Sequence, residues 1–111
     1  MALDYKVLGQ IQGTAAVGTY ASLGQVPSGK SWLVSTISIC NQAASSMTYR
    51  LAIASSTSPS TSEFLVYGAT VPANDTVTLT LGITMQANKY IVASSSANTS
   101  SFAAFGTEIT P

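Results

Sequence analysis

Acid–base and metal chemistry need side chains that move protons or donate lone pairs, and this chain has few of them. It contains no histidine, a single cysteine, and four carboxylates: Asp4, Glu63, Asp75 and Glu108. Without histidine, the usual general base and the commonest metal ligand are both missing. Lys30 stands next to Ser31, but at a turn where the two side chains diverge as a strand begins, which argues against a Ser–Lys nucleophile. Two carboxylates would suffice for a glycosidase, and any pair of the four could meet in space. Yet Glu63 and Asp75 have no aromatic platform beside them beyond Phe64 and Tyr67, so each carboxylate reads as a solvated strand-end charge or a turn cap. Cys40 alone cannot build a zinc or iron site and reads as a small buried filler. Asn74 and Asp75 offer too few oxygens for calcium, and the glycines are scattered singly rather than gathered into a phosphate loop. The expectation is a protein that is not an enzyme, with no metal and no cofactor.

Composition narrows the partners. In 111 residues there are four Lys or Arg and four Asp or Glu, a formal net charge of zero. With no basic cluster there is no counterion release to drive nucleic-acid binding and no attraction to anionic lipid. Ser and Thr make up more than a quarter of the chain, giving a surface that is polar without being repulsive. Near-zero net charge favours association. The length suits a single domain, expected to span residues 1 to 111. One cysteine excludes an intrachain disulfide. MALDYKVLGQ lacks a cationic segment followed by an apolar one, and no apolar run approaches a membrane span, so the expectation is synthesis in the cytoplasm without a signal peptide and no membrane partner.

What must position these side chains is a set of strands. VPANDTVTLTLGIT (71 to 84) alternates Val77, Leu79, Leu81 and Ile83 with Thr76, Thr78 and Thr80, the pattern of a half-buried strand. Similar signals recur at 4 to 12 (Tyr5, Val7 and Ile11 alternating, with Gly9 a possible bulge), 19 to 26, 31 to 40, 47 to 54, 63 to 69, 89 to 95 and 101 to 109. In the third of these, Leu33, Ile37 and Ile39 share one parity and Trp32 and Val34 the other, which predicts a strand covered on both faces at its start. Gly, Pro, Ser and Asn clusters separate the strands; STSPSTS (56 to 62) reads as an exposed loop, and Val26-Pro27-Ser28-Gly29 as a turn with Pro second, a device reused at 71 to 75. No window shows a helical period with caps. The spacing predicts an all-β, antiparallel β-sandwich of about eight strands, jelly-roll or immunoglobulin-like, with essentially no helix.

Four segments read in order, YKVLGQ (5 to 10), VPSGKSWLVSTISICN (26 to 41), VPANDTVTLTLGIT (71 to 84) and FAAFGTEIT (102 to 110), resemble a family of small virion structural proteins of tailed bacteriophages, notably cyanophages. The resemblance implies a β-sandwich subunit present in many copies on the virion, as a head decoration or cement protein, or else attached to the neck, tail, baseplate or fibres. It implies self-association as a homo-oligomer, with a trimer preferred, and contacts with the major capsid protein or other virion proteins.

The candidate contact residues are Leu3 and Tyr5 in MALDY, Phe102 and Phe105 in SFAAFGTEI, and Trp32. The terminal segments could equally pair as ordinary strands inside one subunit. Trp32 and the tyrosines Tyr5, Tyr20, Tyr49, Tyr67 and Tyr90 could instead stack on sugars, as in a carbohydrate-binding module for host adsorption, although aromatics on strands more often serve cores and subunit contacts.

Overall fold

The computed structural model describes the whole chain, Met1 to Pro111. Eight strands follow in order: β1 (Ala2–Gln12), β2 (Ala21–Gln25), β3 (Ser31–Asn41), β4 (Met47–Ala54), β5 (Phe64–Val71), β6 (Thr76–Met85), β7 (Tyr90–Ser95) and β8 (Ser100–Thr110). The only helical element is a 3-10 turn, Thr61–Glu63, at the end of the STSPSTS loop. Glu63 caps it, accepting the backbone N–H of Ser60 at 2.9 Å and that of Ser55 at 3.1 Å, and these bonds hold its carboxyl below the ordinary value.

Two four-stranded antiparallel sheets form, ordered β1-β8-β3-β6 and β2-β7-β4-β5. Of the consecutive strands only β4 and β5 pair, and each of the six remaining connections crosses between the sheets. This is the jelly-roll solution, and it sets aside the immunoglobulin-like alternative, in which more neighbours in sequence pair directly.

Extra residues in the strands decide which side chains face inward. Each slips the pairing by one residue and so reverses the faces beyond it. In β3 the register with β8 shifts between Val34 and Thr36. Trp32 and Val34 point inward before the bulge at Ser35, Ile37 and Ile39 after it, and Leu33 is left outside. The mixed parity of this strand therefore marks a bulge, not a strand covered on both faces. Cys40, beyond the bulge, is half-buried with its neighbours Ile39 and Asn41 turned inward, so it is not a core filler. In β1 the shift falls between Val7 and Gly9, so Tyr5 and Val7 share the outer face while Ile11 turns to the core.

Between the sheets, Val34, Ile37, Ile39, Phe102 and Ala104 meet Leu23, Tyr49, Leu51, Ile91 and Ala93 in one continuous apolar cluster. Tyr49 and Phe102 cross edge to face with ring centroids 6.3 Å apart. β6 keeps the alternation read from its sequence, with Val77, Leu79, Leu81 and Ile83 half-buried and the threonines exposed.

The two Val-Pro turns share a residue with positive φ at the matching place. The N–H of Lys30 donates to the carbonyl of Pro27, which puts Pro27 first and Gly29 third in the turn, one place later than the sequence suggested. Gly29 has φ of 77° and Asn74, at the matching place in the second turn, 54°, the left-handed region that Gly and Asn tolerate best. Asn41, fully buried, ties the second turn down: its Nδ2 donates to the carbonyls of Ser45, Val71 and Pro72, and its Oδ1 accepts from Ala43 N–H.

Where β1 passes β2, Gly9 lies so close to the other sheet that a Cβ would run into the Leu23 carbonyl oxygen. Backbone cannot move aside as a flexible side chain can. Gly9→Ala is expected to destabilise the fold by about 3 kcal/mol, read as a lowered urea midpoint, whereas Gly82→Ala, where a Cβ meets nothing, should change the midpoint far less.

Candidate assembly interface

At one end of β1 and β8 the inner face carries charge beside the core residue Trp32. Asp4, Glu108 and Trp32 lie in one row across β1, β8 and β3. Only 5% of Glu108 is exposed. Its Oε1 takes hydrogen bonds from Lys6 Nζ and Lys30 Nζ, both at 3.2 Å, and its Oε2 one from Trp32 Nε1 at 3.0 Å. The indole N–H and the two ammonium groups hold the carboxyl down to about 2. A carboxylate fixed in its ionised form by three donors grips; it does not relay protons. Asp4 stands 3.8 Å from Lys6 Nζ on the exposed side. Glu108 was expected to be a solvated strand-end charge; three donors brought from β1, the turn before β3 and β3 itself make burial tolerable.

The outer face of the same strands is apolar. Leu3, Tyr5 and Val7 project from β1, Phe105 from β8 and Leu33 from β3, all exposed. Register places Tyr5, Thr107 and Leu33 in one row and Val7 beside Phe105 in the next. Tyr5 is 78% exposed and Leu3 49%, although β1 is well paired with β8 along its length. Toward the other end of the sheet the surface turns to amides and hydroxyls, with Gln10, Gln12, Gln42, Asn98 and Ser101 around an open groove of about 500 Å³.

Of the five residues singled out from the sequence, three fall on this apolar strip: Leu3, Tyr5 and Phe105. The other two do not reach the surface. Trp32 is 4% exposed and Phe102 1%, the first plugging the sandwich end beside Glu108, the second packed in the core on Tyr49. In an unbulged β8, residues three apart must point to opposite faces, so Phe102 and Phe105 could never share one. Val7 and Leu33 complete the strip and were not singled out; the alternation of Leu3, Tyr5 and Val7 was the available signal.

The outer face of the second sheet holds another feature. Ala52, Ala54 and Val92 are buried there beneath Tyr20, Phe64 and Tyr90. The Arg50 guanidinium lies 3.9 Å from the centre of the Tyr67 ring, and Nη1 donates to the Tyr20 hydroxyl at 2.9 Å. Phe64 meets Tyr67 edge to face at 4.9 Å. Tyr20, Pro59, Thr61, Phe64 and Tyr67 line an open recess of about 530 Å³.

No His, Cys, Asp and Glu side chains gather in threes, and no helix is long and apolar enough to cross a membrane.

No family model matches the chain, and no curated protein does. Among solved structures, it is similar to a chain in the structure of the infectious bursal disease virus Gx strain, with a TM-score of 0.53 and 10% identity over 96% of its length. The likeness is one of fold, and the chain spans about a third, 32%, of that longer protein. A chain of the cyanophage Pam1 capsid asymmetric unit aligns over 98% of this chain and 85% of its own, at 18% identity and a TM-score of 0.43.

The Glu108 cluster predicts a specific pH response. Its carboxyl has a lower pKa folded than unfolded, so its stabilisation is complete above the ordinary value of 4.5 and is lost as pH falls from there toward about 2. Glu108→Gln is expected to cost about 2 kcal/mol at neutral pH and to flatten the fall in stability across that acid window, measured by urea denaturation at a series of pH values.

Proposed function

We propose that this chain is a structural subunit of a virus particle, a decoration or cement protein that covers a bacteriophage head by meeting its own copies and the major capsid protein. The observation that carries this reading is the apolar strip of Leu3, Tyr5, Val7, Leu33 and Phe105, which gathers five of the eight exposed large apolar side chains on one sheet face of a hydroxyl-rich, charge-poor chain. Exposed apolar side chains gathered on one sheet face mark an interaction surface, and few charges keep the desolvation cost of covering that face low. The likeness of fold to a chain in a virus structure supports it, as does the resemblance of its four segments to small virion proteins. The role is mechanical. Strand pairing and core burial make a rigid tile, and many modest contacts repeated over a lattice reinforce the particle. A trimeric arrangement belongs to this reading through the same resemblance, and a neck, tail, baseplate or fibre position is its variant.

Copy number in purified virions, measured by quantitative mass spectrometry against the major capsid protein, tests it. Copies comparable in number to the capsid subunits are expected; a small ring-like complement would move the chain to neck, tail or fibre, and absence from particles would overturn the reading.

A second reading, glycan binding for host adsorption, is favoured by the aromatic recess of Tyr20, Phe64 and Tyr67 above Arg50. It is not served by Trp32, which is buried. If this reading holds, a glycan array probed with the chain gives hits that Tyr67→Ala abolishes and Trp32→Phe retains; an array without hits counts against it.

A further inference from the structure

We propose that the free edge of β1 docks a second copy of this chain, the two β1 strands pairing antiparallel about a twofold axis through Tyr5. β1 stands at the end of its sheet, paired on one side only, with β8. Its other side presents unpaired backbone N–H and C=O groups, a template for another strand. Edge strands guard against such pairing with charge, bulges or shortness; in β1 the bulge lies beyond Val7, and the two charges, Asp4 and Lys6, are of opposite sign. β1 is eleven residues long, and residues 2 to 7 run without interruption before the bulge at Leu8.

The residues of this run are self-complementary. Leu3, Tyr5 and Val7 are on the outer face, and Asp4 and Lys6 on the inner. When Tyr5 pairs with the second copy's Tyr5, Leu3 falls opposite Val7 and Asp4 opposite Lys6, and the dyad makes each contact twice. Cross-strand apolar and opposite-charge pairs each stabilise a sheet. The neighbouring registers fail: sliding one way brings Asp4 against Asp4, sliding the other brings Lys6 against Lys6. Asp4 has the freedom to take part, because its carboxylate is largely exposed and its contact with its own Lys6 is long, 3.8 Å. Lys6 is 39% exposed at the side chain while bound to Glu108, so it can reach an added carboxylate without releasing the buried one.

The result is one continuous eight-stranded sheet whose outer face joins two apolar strips side by side. The inference rests on the reading of the chain as an assembling subunit and gives that subunit a partner and a symmetry. A twofold contact uses the same patch on both copies, so a threefold assembly would be built on some other surface.

The test uses the full chain in solution. Sedimentation at tens of micromolar is expected to show a dimer, and Asp4→Lys, which leaves the Lys6, Lys30 and Trp32 bonds to Glu108 in place, is expected to weaken it at least about tenfold, since two attractive pairs become two repulsive ones. Register is read by cysteine cross-linking in a Cys40→Ser background. Tyr5→Cys, at the dyad, should form an interchain disulfide under mild oxidation, and Leu3→Cys, four residues out of register with its counterpart, should not. A monomer at these concentrations, a dimer indifferent to Asp4→Lys, or equal cross-linking at positions 3 and 5 would overturn the proposal. None of these results bears on whether the chain is found in virions, so the proposal and the virion reading fail independently.

Discussion

A carboxylate taken out of water costs several kcal/mol unless its lone pairs are met, and Glu108 meets that demand with donors from three separate segments of the chain. Lys6 comes from β1, Lys30 from the Pro27 turn and Trp32 from the start of β3. At this end Trp32 and Glu108 are almost fully buried, while Asp4 and Lys6 beside them stay partly exposed. The ionic cluster fills the inner face of β1, β8 and β3 at this end, opposite the apolar strip on their outer face.

The strands themselves were legible because alternation and turn residues agree along the chain. Met47–Ala54 and the threonine face of β6 emerge as read. What alternation could not convey was where an extra residue breaks it. Two pairs of aromatics make the point, each three positions apart. Phe102 and Phe105 point to opposite sheet faces because β8 has no inserted residue between them, whereas Phe64 and Tyr67 share the outer face because the register with β4 slips at Leu65. Nothing in either stretch of sequence announces the difference. Strand order was hidden for a related reason: a jelly roll pairs strands far apart in the chain, and local pattern says nothing about distant partners.

The candidate site was legible in proportion to how local its signals were. Leu3 and Tyr5 stand out as alternating apolar residues near a chain end, and Phe105 follows. Glu108 with Lys6 and Lys30 was invisible, since its members are spread over more than a hundred positions and each alone is an ordinary charge. The recess of Tyr20, Phe64 and Tyr67 needed β2, β5 and the loop carrying Pro59 to meet, and Arg50 gives away its aromatic partners only once Tyr67 lies across from it in the register.

β1 pairs with β8, residues 2 to 12 with residues 101 to 110, which binds the order of synthesis to the order of folding. Pairings between distant segments form slowly, because the loop between them must close before any contact rewards it. On the ribosome the strand bearing Leu3, Tyr5 and Val7 emerges long before its partner, and waits with both edges open through the making of every other strand. During that interval its unpaired edges are open to a neighbouring nascent chain, so the strand proposed to pair between finished molecules carries the same exposure while it is being made. On the proposed pairing Lys6 and Asp4 bear on that interval as well, since their opposite signs favour one register before the sandwich exists to enforce one.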